Sequence, residues 1–286
     1  MFLPHARLSS THYSQEFTPC IFAVMGNQVS RAQYLTVGSF LVNFGTQLYG
    51  MLTSPNMKDV AEQYHYAFSP NPYFIAAFFS GQVVLQLAWI RKLFSLDPSG
   101  YQKVGSGSAD GVTAEEVESI QTATEYAPVY ALGNLCIAGW LFFWLREEFT
   151  ASQVLVTINT IAQLAAVARL PPITPGSSRL MVLTHLVAKT FAGVGVLDLL
   201  DNGGVMTRYI APPSKLAQGL TYALFPLATA VSTPFFGLTL LYDVVGVCVG
   251  QRGVFGASGW SNGLGWTAAA MGGIIGVKAF LTRKIL

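Results

Sequence analysis

Long apolar runs separated by polar connections organise this chain. The runs fall at 33–52, 72–90, 127–145, 151–170, 180–200, 216–250 and 260–281. Most have the roughly 20 residues that carry a helix across a bilayer. The run 216–250 is too long for one crossing without tilt or a break, and Pro226 and Pro234 inside it predict a kink. Asn43 and Gln47 interrupt the first run. Only a few residues, beginning Arg146-Glu147-Glu148, separate the third from the fourth, so those two must form an antiparallel hairpin. Pro171-Pro172 ends the fourth. The pattern predicts an all-α polytopic transmembrane bundle of about seven spans, forming one helical domain over 33–286.

Between the runs, residues 1–32 read as a polar arm and 93–125 as a flexible loop. That loop carries a short amphipathic helix starting at Thr113, where Thr113 and Glu116 fit a capping box. The apolar stretch Cys20–Met25 is too brief for a secretory signal core. Glycines 263, 265, 272, 273 and 276 in the last run permit close helix contact. Tryptophans 89, 144, 260 and 266 suit an interfacial belt, whereas Trp140 is mid-span. With seven spans, eight Lys/Arg fall on the N-terminal side and six on the other, which favours a cytoplasmic N-terminus.

Composition agrees with the pattern. Hydrophobic residues make up 52% and charged residues 10%, against about a quarter charged in a soluble domain. No Lys/Arg cluster suggests nucleic acid. Cys20, Cys136 and Cys248 lie too far apart for a metal spacing and form no disulfide framework. The chain has no P-loop, no dinucleotide fingerprint, no paired-His or paired-Cys motif and no aspartate-rich diphosphate motif. Neither a metal nor a cofactor is expected.

Two of the fourteen acids, Asp198 and Asp243, lie inside apolar runs, and a third, Asp201, closes the run that holds Asp198. A carboxylate at bilayer depth costs about 2.5–3.5 kcal/mol, so each is a candidate for function. Asp198 and Asp201 are about 300° apart on a helix and share a face, together with Asn202. Two carboxyls in apolar surroundings can divide one proton, leaving one as general acid and the other ionised. Alternatively, the pair marks a helix end in contact with headgroups, stopped by Gly203-Gly204. His185 and Lys189 share a different face; His185 suits an interhelical hydrogen bond or ligand binding, and Lys189 suits snorkelling or pairing with Asp243. Lys278, near Arg283-Lys284, suits a snorkelling anchor. Asp59 and Glu62 repeat the i, i+3 spacing before Tyr64, Tyr66 and Phe68. They read as a solvated connection or as a short helix over a cavity mouth. Gln82, Gln86, Asn134, Asn159 and Gln163 suit interhelical hydrogen bonds or the lining of a polar pocket.

In size, span number and sparse intramembrane acids, the chain resembles the fungal membrane-bound cyclases of secondary metabolism, the ascofuranone-type terpene cyclases and the polyene-pyrone epoxide hydrolases. A local stretch is similar to TspO-like tryptophan-rich sensory proteins: Asn56-Met-Lys-Asp-Val-Ala-Glu-Gln-Tyr, then Ala67-Phe-Ser-Pro-Asn-Pro-Tyr73-Phe, and Leu132-Gly-Asn-Leu-Cys-Ile-Ala-Gly-Trp140. Phe79-Ser80-Gly81 stands where that family has a Trp-Gly pair. The first resemblance implies metal-free epoxide opening on a lipophilic terpenoid or polyketide in the endoplasmic reticulum membrane, by cyclisation or hydrolysis. Asp198, Asp201, Asp59 and Glu62 would be the acid/base groups, and Tyr64, Tyr66, Asn134, Trp140 and His185 the substrate contacts. The second implies a binder or transporter of small hydrophobic molecules.

Overall fold

A computed structural model describes residues 17–97 and 113–282, with side chains from residue 27 onward. The described residues form nine helices and no strand. They are α1 (Phe17–Leu52), α2 (Met57–Gln63), α3 (Pro72–Phe94), α4 (Ala114–Leu145), α5 (Phe149–Val167), α6 (Arg179–Met206), α7 (Lys215–Val231), α8 (Pro234–Gly250) and α9 (Ser258–Thr282). Helices α3, α4, α5, α6 and α9 are long and apolar enough to cross a membrane, and α8 is a shorter apolar helix. Leu41, Val84, Ile161, Leu224 and Val277 keep large apolar side chains on the outer surface, as a lipid-facing exterior requires. The chain is an integral-membrane helical bundle.

Most starts follow local capping chemistry. Asn56 and Thr113 each form a reciprocal capping box, with Asp59 and Glu116. Asn71 caps α3 with Pro72 in its first turn, Ser178 caps α6 and Ser214 caps α7.

The boundaries depart from the sequence pattern in four places. Helix is present from Phe17, inside the expected arm; residues 1–16 lie outside the described chain. The short helix expected at Thr113 runs without a break into the third span, because nothing between Ala114 and Leu145 stops it; Pro128 sits inside α4. Residues 98–112 of the expected loop are not described. Gly203-Gly204 do not stop α6, which continues to Met206.

The largest change is at 216–250, which is two helices instead of one kinked span. Thr233 caps α8 through Phe236 N, and Pro234 occupies its first turn, so Thr233-Pro234 starts a new helix. Pro226 leaves α7 continuous. Gly237 of α8 lies against Thr229 of α7 and Ile275 of α9, whereas at the other end Tyr222 meets Gly263 and Cys248 meets Ser261. Helices α7 and α8 are therefore antiparallel. Arg252 consequently sits at the opposite end from the one that the seven-span reading gave it.

Helix α6 is the centre. It packs on α3, α4, α5 and α8, while α1 lies along α4 and α9 covers α7 and α8. The flagged amides make interhelical bonds. Thr190 donates to Gln82 (2.7 Å), Tyr130 to Gln86 (2.5 Å), Asn43 to Asn134 (2.8 Å) and Tyr126 to Gln163 (2.9 Å). Trp89, Trp144 and Trp260 are buried core residues instead of a belt, and each indole N–H has an acceptor. Trp266 alone of the four is exposed. In the glycine-rich last helix only Gly263 is tightly packed, against Tyr222; Gly272, Gly273 and Gly276 face open space. Lys278 does not snorkel outward. It donates to the carbonyls of Thr229, Ala230 and Ser232 and so closes the C-terminus of α7.

Candidate active site

A cavity of about 750 Å³ lies between α1, α3, α4, α5 and α6, with α2 over one end. Its wall is mainly apolar and aromatic, with Phe40, Phe44, Phe79, Val83, Ile137 and Trp140. Away from α2, Gln33 joins α1 to α3 by donating to the carbonyls of Leu93 (3.0 Å) and Leu96 (3.3 Å). Toward α2 the wall residues Phe44, Leu48 and Met51 of α1 and Tyr73 of α3 are also surface-exposed. The mouth of the cavity therefore lies between α1 and α3, with apolar side chains exposed at its rim.

Asp198 and Asp201 line this cavity from α6, one turn apart. Both are partly buried. Ser69 Oγ donates to Asp201 Oδ1 at 2.7 Å and accepts from Tyr66 N at 3.0 Å. Asp198 makes no hydrogen bond to a described residue. An O–H donor suits the carboxylate form of Asp201; no donor among the described residues is committed to Asp198.

Ser69 is held in place by the end of α8. At Gly250 a Cβ would lie 2.5 Å from the Ser69 carbonyl and 2.6 Å from Asn71 N. Only glycine allows two backbones so close. Asn71 N donates to Gly246 O, and Gln251 Nε2 donates to the carbonyls of Tyr66 and Ser69. His65 Nε2 lies 3.0 Å from Gly250 O. Burial lowers the His65 imidazole below its ordinary value, opposed in part by that carbonyl.

Asn202 organises the wall behind the acids. Its Oδ1 accepts from Trp140 Nε1 (3.0 Å) and Ser152 Oγ (2.7 Å), and its Nδ2 donates to Gln153 Oε1 (2.7 Å). Trp140 is thereby fixed, with its ring stacked on Trp144 at 5.2 Å. At the mouth, Tyr64 lines the cavity and donates to Glu147 Oε2 at 2.5 Å. That bond raises the Tyr64 phenol above its usual value. Trp144 Nε1 donates to Met57 O, a second tie from α2 to α4.

The remaining sequence candidates lie elsewhere. Asp59 does not line the cavity because its carboxylate is occupied in the cap of α2, and Glu62 pairs with Lys58 at 3.1 Å on the exposed face. Tyr66 contributes backbone contacts and packing, not a cavity wall. Asn134 sits one layer behind it, bound to Asn43 and to Tyr130 O. His185 is off the cavity with both ring nitrogens buried. The Pro171 carbonyl is near, but no described residue meets hydrogen-bond geometry with the ring. No ion pair joins Lys189 to Asp243 among the described residues. Asp243 is buried beside Asp198, and neither carboxyl oxygen has a described partner. Sequence reasoning missed Ser69 and Glu147, which act through contacts 132 and 83 residues away.

No group of three or more His, Cys, Asp or Glu residues suited to a metal occurs among the described residues. Comparison with protein-family models, with curated proteins and with solved structures gives no match.

Proposed function

We propose that this protein is a membrane-embedded acid/base enzyme that opens an epoxide on a lipophilic terpenoid or polyketide. The observation that carries the reading is Asp198: a carboxyl without a hydrogen-bond partner among the described residues, on the wall of an aromatic cavity, one turn from a carboxyl oriented by Ser69. The epoxide is the electrophile that the family resemblance implies. Asp198 donates its proton to the epoxide oxygen as the C–O bond breaks. The face of Trp140 lies beside the carbon that becomes positive. An internal alkene or hydroxyl, or a water, then forms the new bond to that carbon. The proton it releases passes to Asp201, and exchange between the two carboxyls restores the starting state. Cyclisation is thus an isomerisation, and hydrolysis adds one water.

The mouth between α1 and α3 suits a substrate dissolved in the bilayer. It supports equally a second reading, a TspO-like binder or carrier of small hydrophobic molecules. We place the protein in the endoplasmic reticulum with a cytoplasmic N-terminus.

Mass spectrometry of microsomes expressing the chain, fed polyene-pyrone and farnesyl-phenol epoxides, tests this. An isomer of equal mass means cyclisation, and a gain of one water means hydrolysis. Unchanged epoxide across the panel, together with proton-linked flux of the same compounds in liposomes, would replace the enzyme with the carrier.

A further inference from the structure

Amides inside this bundle are almost all spoken for. Among the described buried Asn and Gln side chains, Asn159 alone makes no hydrogen bond at all. It is 2% exposed, its Oδ1 is buried without a partner, and the residue lines the cavity. An amide offers two donors and two acceptor sites, and a buried one normally satisfies them. Asn159 is not alone in that part of the wall. Gln86 also lines the cavity, and its Oε1 is taken by Tyr130 Oη, which leaves Nε2 as the free end. Asn43 completes the group from α1, tied to Asn134.

The three amides, from α1, α3 and α5, gather around one turn of α4. Gln86 binds Tyr130, Asn43 binds Asn134, and Asn159 Oδ1 lies 2.7 Å from where a Cβ on Gly133 would be. Phe191 of α6 packs against Tyr130 at this level. Asp198 is seven residues further along α6, and Thr160, next to Asn159, donates to Gly195 O. The amides therefore lie about 5–10 Å, one to two helical turns, from the carboxyl.

We infer that Asn159, with Gln86, is the docking point for an uncharged carbonyl or hydroxyl oxygen on the ligand. That contact sets which lipophilic molecules the cavity accepts and which of their carbons reaches Asp198. The inference rests on the cavity being the ligand site, as proposed above. It adds a requirement that greasiness alone does not impose: a neutral oxygen about 5–10 Å from the reacting group. An anionic head is unsuited, since no described Lys or Arg lies at this level of the wall.

The test is equilibrium binding to the purified full-length protein in nanodiscs, read by tryptophan fluorescence. The probes are farnesylacetone and a polyene hydrocarbon of matched length. Wild type should prefer the ketone. Asn159→Leu should weaken ketone binding by about tenfold or more, the loss expected for one buried hydrogen bond, and leave the hydrocarbon unaffected. Because Asn159 bonds to no described residue, the variant should unfold no lower than wild type on heating; a merely structural amide would lower it. Asn159→Ala, which cannot overpack, repeats the test should leucine not fit. Equal ketone affinity in wild type and variant, or a variant that unfolds early, overturns the inference. Ketone selectivity without epoxide turnover would remove the catalytic reading and keep this one. Turnover without selectivity would do the reverse.

Discussion

The two sides of α6 carry similar chemistry in opposite settings. On one side Asp198 and Asp201 open into a cavity bounded by α1, α3, α4 and α5. Behind it, Asp243 of α8 is buried beside Asp198, with neither oxygen partnered among the described residues, and does not line the cavity. The cavity side is built loosely, with α1 and α3 joined through Gln33 at one end and exposed at the other. The far side is filled by Phe236, Leu240, Val244, Trp260, Leu264 and Met271, with Lys278 closing α7. An intramembrane carboxyl is thus a sign of chemistry only where there is room for something to react.

The sharpest way to break that contrast is to remove each acid in turn. Asp198→Asn should lower product formation by about 10²–10⁴-fold, the usual contribution of a positioned general acid, while probe binding persists. Asp243→Asn should lower turnover far less, because Asp243 does not line the cavity, and should hold the thermal midpoint, because it removes a buried ionisable group without breaking a hydrogen bond to a described residue. Assays of both variants beside wild type decide the matter. Loss of turnover in Asp243→Asn with retention in Asp198→Asn would move the chemistry from the cavity wall to the buried acid behind it.

Most of this contrast could be read from the chain, but the decisive part could not. Apolar run length gave the spans, and the Asp198/Asp201 phase gave a shared face, because helical periodicity is local. The pattern also flagged Gln86 and Asn159 as pocket or packing residues, without separating the two uses. That choice depends on whether a partner lies across the interface: Tyr126 for Gln163, nothing for Asn159. It missed Ser69 for the same reason, since a serine in a connection carries no periodic signal. The division of 216–250 was legible in Thr233-Pro234 as a cap and first-turn proline, a signal that competed with the length of an uninterrupted apolar run. Asp59 looked like an acid over a mouth, although Asn56 three residues earlier already marked it as a cap.

A substitution at Lys278 probes the filled side alone. Lys278→Met keeps the side-chain length but leaves the carbonyls of Thr229, Ala230 and Ser232 without their donor. The expected loss is about 1–3 kcal/mol, read as a lower thermal midpoint in detergent, with probe affinity at the cavity unchanged. A fall in affinity would mean that the two sides are mechanically coupled through α6. On the cavity side, Tyr64→Phe removes the bond from α2 to Glu147. Stopped-flow fluorescence should show ligand entering and leaving several-fold faster, at little cost in stability, since Trp144 still holds Met57. Unchanged exchange rates would show that α2 does not control the mouth.

The smallest effect expected is one of pH, and it falls at the junction that positions Ser69. Burial lowers the His65 imidazole in the folded protein, so the unfolded chain takes up its proton more readily. The contribution of neutral His65 is therefore complete above the ordinary imidazole value of about 6.5 and is lost as pH falls toward the depressed native value. Protonation puts charge into a partly buried pocket whose near neighbours are Gly250 O and the Gln251 amide. Gln251 in turn holds the carbonyls of Tyr66 and Ser69, so the strain reaches the hydroxyl that orients Asp201. Thermal midpoints measured from pH 8 to 5 should fall more steeply for wild type than for His65→Gln. Parallel curves would assign the acid sensitivity to other groups. If the variant also keeps more of its turnover at pH 5.5, the loop at the end of α8 transmits the proton's effect to the cavity, and the filled side of α6 then supports the open one.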